Sequence, residues 1–179
     1  MTFTRQQVFQ ACQSGAPQFG LDPLLIYAIC LQEGEKDGTT GYDPSVARLE
    51  QGYYRRYTEE LSYATTTEVI LAASYGVMQT MGGSLREDGF FQWFFDQAEP
   101  GLKTVIKGPM TPFAVVAAIN EYCVQIEWQI HWGCVHFKKK LAGAGGDIPK
   151  ALLRWNGGTA PLYDDEVLAK YEKVKSGYR

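Results

Sequence analysis

Apolar residues recur at helical spacing along most of the chain, whereas the alternation typical of strands is scarce. Residues 4–14 form a short amphipathic pattern that Gly15 is expected to end. The next pattern, LLIYAICL at residues 24–31, is apolar on every side, so this helix should be central and buried. Asp22 and Pro23 mark its start as the N-cap and the first helical residue.

Further helices are predicted from their start signals. The segment TTTEVILAASYGVMQ, residues 65–79, is interpreted as one helix with threonines at its cap. Thr111 and Pro112 should begin the longest helix, because an apolar stripe with steps of three and four continues from there to Leu141. The remaining helices are predicted over the aromatic segment REDGFFQWFFDQ, after Asp147 and after Pro161.

This pattern predicts a mainly α fold in a single domain, residues 1–179, with a buried central helix and a long helix in the C-terminal half. A length of 179 residues is enough for one domain with a core of its own. A small irregular or hairpin segment is expected near residues 36–52.

Composition excludes several classes of protein. With 45% hydrophobic and 21% charged residues the chain has an ordinary globular composition. A net charge of -3 lacks the basic surplus of a nucleic-acid binder, and the short run Lys138–Lys140 is interpreted as a solvated helix face. Because no apolar run approaches about 18 residues, we expect no membrane insertion.

The metal-binding residue types show no metal-site spacing. The four cysteines contain no CxxC pair, and we interpret them as buried small residues that could include one disulfide. His131 and His136 are five residues apart and do not share a helix face. We therefore predict no metal and no cofactor.

Glu33 is the leading candidate for chemistry. It follows Ile29 by four residues, which places its carboxyl group on the apolar face at the C-terminal end of the buried helix. An apolar surrounding and the negative end of a helix both favour the protonated form of a carboxyl group. Such a group can act as a general acid. The alternative from periodicity alone is a solvated helix end, like the neighbouring Glu35.

Four short motifs follow one another along the chain. They are Gln32-Glu33, Gly76-Val77-Met78-Gln79, Trp155-Asn156-Gly157-Gly158, and Tyr163 followed by Val167. In this order and spacing, over roughly residues 20–175, they resemble the lytic transglycosylase family, the goose-type-lysozyme-like group that cleaves peptidoglycan. The chain departs from the family pattern by Gly34 for Ser, Val77 for Leu, Trp155 for Tyr and Gly158 for Ala.

The resemblance implies a lysozyme-like fold with Glu33 as the catalytic acid. It also implies a sugar-binding groove beside that acid, where the glycine would let ligand approach the backbone and Met78 would offer an adaptable apolar contact. The residues implied to bind substrate are Gly76, Val77, Met78, Gln79, Trp155, Asn156 and Tyr163.

The resemblance leaves the reaction open between three alternatives. A lytic transglycosylase uses one Glu and gives a 1,6-anhydro product, and we favour it because no motif here carries a second carboxylate. A hydrolytic goose-type muramidase would need one, for which Glu50 and Asp43 are the first candidates, although Glu50 could equally pair with Arg55 or Arg56. A non-catalytic wall-binding module on the same fold is the third, since Gly34 replaces the family's Ser.

The expected partner is the glycan strand of peptidoglycan, bound by a monomer. The N-terminus shows no signal-peptide pattern. We therefore expect a phage endolysin or a virion-associated lysin. Such an enzyme is made in the host cytoplasm and is released to the wall by a holin or carried on the virion.

Overall fold

The structure, a computed structural model, describes residues 3–34, 48–49, 66–158 and 160–177. Ten α-helices and three short strands lie within these ranges, and a 3-10 turn, Ala16–Phe19, follows the first helix. In chain order the elements are α1 (Arg5–Gly15), α2 (Pro23–Gly34), β1 (Arg48–Leu49), α3 (Thr66–Leu71), β2 (Ala73–Tyr75), β3 (Thr80–Met81), α4 (Gly82–Asp88), α5 (Phe90–Gln97), α6 (Pro100–Ile106), α7 (Pro112–Val124), α8 (Ile126–Gly143), α9 (Ile148–Trp155) and α10 (Tyr163–Lys175).

The predicted class is confirmed: the fold is mainly α and forms a single compact domain. The caps predicted at Asp22 and Asp147 are also present. The Asp22 carboxylate accepts a hydrogen bond from the backbone N–H of Leu24 at 2.8 Å, and that of Asp147 accepts one from Lys150 at 2.9 Å. Every residue of α2 from Leu25 to Leu31 is buried, as its continuous apolar run requires.

Buried side chains form two hydrophobic clusters. The first, here called the terminal core, joins α1 and α2 to α8, α9 and α10, which come from the two ends of the chain. The second, here called the aromatic core, joins β2, α4 and α5 to α7 and part of α8. Phe90, Phe91 and Phe94 of the predicted aromatic helix lie in the aromatic core. Helix α8 contributes side chains to both clusters.

The single helix predicted over residues 65–79 is wrong. Helix α3 ends at Leu71, and the chain then forms β2, a four-residue loop and β3. The loop reverses direction because Gly76 and Gln79 both have left-handed backbones, with φ of 75° and 47°. Strand β1 pairs antiparallel with β2, so part of the expected segment near residues 36–52 joins this small sheet; residues 36–47 and 50–52 lie outside the described ranges.

The single long helix predicted from Thr111 to Leu141 is also wrong, because it is broken at Gln125. This residue is extended, with φ of -112° and ψ of 95°, and it separates α7 from the longer α8. The side-chain amide of Gln129 donates hydrogen bonds to the carbonyl oxygens of Tyr122 and Cys123 at 2.9 and 3.0 Å. The break redirects the apolar stripe, which enters the aromatic core before Gln125 and the terminal core after it.

Two further searches cover the described residues alone. Within them, no helix has the length and apolarity needed to span a membrane. In the same part of the chain, no three His, Cys, Asp or Glu side chains gather closely enough to hold a metal ion. Cys12, Cys30 and Cys134 are buried free thiols, and the Sγ atoms of Cys12 and Cys30 lie 3.9 Å apart.

Candidate active site

Glu33 lies in the last turn of α2, half-buried at the edge of the terminal core. The hydroxyl of Tyr163 donates a hydrogen bond to its Oε1 atom at 2.6 Å. Tyr163 is the first residue of α10 and is 3% exposed, so its ring is held by packing while its hydroxyl reaches the carboxyl group. Two residues 130 positions apart in sequence are thus in direct contact.

A polar network beside this contact fixes α10 against α2. The Gln32 side chain donates to Glu166 Oε2 at 2.6 Å and accepts from Lys170 Nζ at 2.7 Å. At the other end of α2, the Tyr171 hydroxyl donates to Asp22 at 2.7 Å. The two helices are therefore antiparallel and held at both ends, which determines where Tyr163 meets Glu33.

The nearest thiol on α2 is not a competing nucleophile. Cys30 lies one turn before Glu33 and is completely buried. Burial raises the pKa of the Cys30 thiol well above its usual value, and the hydrogen bond with Cys12 and the nearby charge of Glu33 raise it further. Since only a thiolate is strongly nucleophilic, Cys30 stays unreactive at neutral pH.

The Gly76–Gln79 loop is fastened to α8 through Gln129. The backbone N–H of Val77 donates to Gln129 Oε1 at 2.8 Å. A Cβ atom at Gly76 would lie 2.6 Å from the same oxygen, so glycine is needed both for this approach and for its left-handed φ. The side-chain amide of Gln79 closes the loop by donating to the carbonyl of Gly76 at 2.9 Å.

The burial of this loop differs from what the resemblance implied. The space beside Gly76 is filled by Gln129 and not left open for a ligand. Val77 and Met78 are buried in the terminal core, and Met78 packs against Gly133, where a Cβ atom would collide with its sulfur. Met78 therefore fills part of the core, in place of the ligand contact that the resemblance implied. Of the four loop residues only Gln79 is partly exposed.

The third motif shapes the turn that leads into α10. Trp155 is half-buried and packs edge-on against Phe137, with ring centroids 5.9 Å apart. Asn156 Oδ1 accepts a hydrogen bond from the backbone N–H of Ala160 at 2.9 Å. Gly157 and Gly158 follow with φ of 76° and 74°, values that a side chain would strain. This turn therefore helps to position Tyr163 at the start of α10.

The structure joins some of the predicted residues and leaves others apart. Glu33 and Tyr163 touch, while Val77, Met78 and Trp155 contribute to the same hydrophobic cluster as Tyr163. The candidate second carboxylates Glu50 and Asp43 lie outside the described residues, as do Glu35, Arg55 and Arg56.

The sequence interpretation missed two supporting features. Gln129 belongs to no recognisable motif. Only the burial of its amide, which the structure shows, marks it as important. Glu166 and Lys170 follow Tyr163 by three and seven residues, so helical spacing alone places all three side chains on one face of α10. That spacing was available as a signal for the Gln32 network.

Searches of protein-family models, curated proteins and solved structures found no match to this chain.

Proposed function

We propose that this protein is a peptidoglycan glycosidase that cleaves the β-1,4 bond between N-acetylmuramic acid and N-acetylglucosamine. In this proposal it acts as a lytic transglycosylase with Glu33 as its catalytic acid. The observation that carries the proposal is the 2.6 Å hydrogen bond from Tyr163 to Glu33. Two of the four motifs of the resemblance supply these residues, and nothing in their local sequence requires them to meet.

The contact suits a carboxyl group that must lose a proton and take it back. In the first step Glu33 protonates the glycosidic oxygen, and the bond from C1 to that oxygen breaks. The Tyr163 hydroxyl then donates to the carboxylate that remains. Hydrogen bonds to charged groups contribute about 1.5–3 kcal/mol, so this donor favours the transfer.

The second step needs no water. The acetamido group of the substrate stabilises C1, and the 6-hydroxyl of the same sugar attacks it. A bond forms between C1 and O6 while the hydroxyl proton passes to Glu33, which restores the acid. The product carries a 1,6-anhydro ring and is one water lighter than a hydrolytic product.

Substrate contacts are proposed from exposure and chemistry. Gln79 is partly exposed and its amide can both donate and accept, as an acetamido group or hydroxyl requires. Its left-handed backbone is uncommon for a residue other than glycine, and such strain clusters at ligand sites. Trp155 is half-buried and could present a ring face to a sugar. Val77 and Met78 would then support the loop from below.

Mass spectrometry of the products tests the reaction directly. Purified bacterial cell walls would be incubated with the protein, turbidity followed, and the released muropeptides weighed. We expect clearing of the suspension and fragments with 1,6-anhydro-muramic ends. Muramic acid with a free reducing end, appearing in step with clearing, would instead indicate a goose-type muramidase, and Glu50 and Asp43 would be the first bases to test.

The proposal extends to the biological setting as a lysin of phage type, acting as a monomer on the wall. A protein that binds walls without clearing them would instead be a non-catalytic module. Sedimentation of the protein with insoluble walls separates that outcome from a protein with no affinity for the wall.

A further inference from the structure

A cleft lies between the C-terminal end of α1, the 3-10 turn, α5 and the first half of α8. Its volume is about 220 Å³, below the range of about 300–1,000 Å³ common for drug-sized ligands. At this cleft α1 approaches α8 closely: a Cβ atom at Gly15, one of the lining residues, would lie 2.9 Å from Ile130. A cavity of this size suits a single ring with its substituents.

This cleft is separate from Glu33. The 3-10 turn that borders it directly precedes α2, whereas Glu33 lies at the far end of that helix. Twelve helical residues at 1.5 Å each span about 18 Å, so the two places are too far apart to hold one sugar ring.

Aromatic rings provide the cleft with its walls. Three of the four tryptophans of the chain, Trp93, Trp128 and Trp132, line it. Trp93 and Trp128 are perpendicular with centroids 4.9 Å apart, and both are only partly buried. Exposed indole faces bind apolar surfaces that carry C–H groups, such as one face of a pyranose ring.

Polar side chains complete the rim. Ser14 and Gln18 come from the N-terminal side, and Glu127 and His131 come from α8. The Gln18 amide donates to the Ser14 carbonyl at 3.0 Å, which holds it at the rim. Together these groups can donate to and accept from hydroxyl and amide groups.

The charges of the cleft argue against an anionic ligand. Among the described residues that line it there is no Lys or Arg. Burial lowers the pKa of His131, so its ring is neutral at neutral pH. The one acidic or basic side chain that a phosphate or carboxylate ligand would meet in this lining is Glu127, which repels it.

We propose that this cleft binds one neutral amino-sugar ring, of the N-acetylhexosamine class, with an apolar face on the tryptophans and its hydroxyls and amide on the polar rim. This inference stands apart from the proposed reaction at Glu33. The competing occupant is an alkylammonium group, which aromatic cages with an acidic side chain also bind. It would not use the hydroxyl of Ser14 or the amide of Gln18.

Indole resonances give a direct test. Methyl N-acetyl-β-glucosaminide would be titrated into ¹⁵N-labelled protein, and the four indole N–H signals would be followed and assigned by single Trp→Phe variants. We expect saturable shifts at Trp93, Trp128 and Trp132. A shift of Trp155, which the proposed reaction places beside the substrate, would come in addition to these three. Shifts at Trp155 alone would place the sugar near Glu33 and overturn the inference, as would no shift at all.

Two exposed substitutions then identify the ligand class. Gln18→Ala should weaken sugar binding about 2- to 10-fold, the loss expected for one hydrogen bond. Glu127→Gln should leave sugar affinity within about 2-fold, because its amide still forms hydrogen bonds. If tetramethylammonium shifts the same three indoles and Glu127→Gln abolishes that response while the sugar has no effect, the cleft is an ammonium site and the proposal is wrong.

Discussion

The terminal core and the aromatic core contain different types of side chain. Half of the buried side chains of the aromatic core are aromatic, whereas the terminal core contains mainly aliphatic side chains and thiols. The polar network around Gln32, Glu33 and Tyr163 borders the terminal core. A regular helix pair held at both ends keeps a reacting group at a defined position, which a catalytic carboxyl group requires. The aromatic core, by contrast, supports the sheet and the loop that passes into the terminal core.

The largest expected effect is on the terminal-core side. Glu33→Gln keeps the shape of the side chain and removes the proton donor, so cell-wall clearing should fall by about 10²- to 10⁴-fold without a change in the melting temperature. Glu121→Gln, an exposed substitution on α7, is the control and should clear walls at the normal rate. A Glu33→Gln variant with more than half of the normal rate would exclude Glu33 as the acid.

The next largest effect concerns the stability of the fold and the contacts of Gln129, which link the loop after β2 to the end of α7. Gln129→Leu leaves the Val77 N–H and the Cys123 carbonyl without their side-chain partner, whereas the Tyr122 carbonyl still accepts from the backbone N–H of Gln125. Since each group that loses its partner costs about 1–3 kcal/mol, the free energy of unfolding in urea should fall by about 2 kcal/mol or more.

The control for this change is Gln92→Leu, which removes one exposed hydrogen bond to Asp96. It should alter the free energy of unfolding by less than about 0.5 kcal/mol. Equal losses in the two variants would mean that Gln129 is not the link between the hairpin and the break before α8.

A smaller effect separates the two ends of the α2–α10 pair. Tyr163→Phe removes the hydroxyl that bonds Glu33, and the rate of wall clearing should fall about 10- to 100-fold, the equivalent of a hydrogen bond to a charged group. Tyr171→Phe removes the hydroxyl that bonds Asp22 on the same helices. If both variants lose activity equally, the two hydroxyls act by positioning α10 against α2. A direct effect of Tyr163 on the Glu33 carboxyl group would then be excluded.

The smallest effect concerns the contact between α4 and α8. Burial raises the pKa of Asp88, but hydrogen bonds from His136 and Lys139 outweigh it and hold the pKa below 3.8. A lowered pKa contributes stability that is present above about pH 4 and lost as the pH falls below it. The contribution should be under about 1 kcal/mol, because Lys139 is 57% exposed.

Urea unfolding at several pH values measures this contribution. The difference in free energy of unfolding between the normal protein and Asp88→Asn should shrink from pH 5 to about pH 2. A difference for Asp88→Asn that stays constant would contradict the role assigned to His136 and Lys139.

The helices were predictable where local signals agree, and the breaks were not. Asp22, Pro23 and an unbroken apolar run specify α2 by themselves. The strands around Gly76 are two or three residues long, too short to show alternation. The break at Gln125 has neither proline nor glycine, and it depends on hydrogen bonds from Gln129 that only the folded chain brings together.

The candidate site divides in the same way. Helical spacing placed Glu33 on the apolar face of α2, and in the structure its side chain is half-buried at the end of that helix. Its pairing with Tyr163 follows from no local pattern, because 130 residues separate the two. The contact of Met78 with Gly133 likewise follows from no local pattern, since Gly133 lies 55 residues later, on α8.

Gln129 also links the evolutionary histories of distant positions. A side chain at Gly76 would displace its amide, and one at Gly133 would displace Met78, the residue that follows the Val77 bonded to that amide. Divergent descendants of this protein should therefore replace these four positions together or keep all of them. The exposed Lys138 of the same helix is free of that constraint and should vary independently of these four positions.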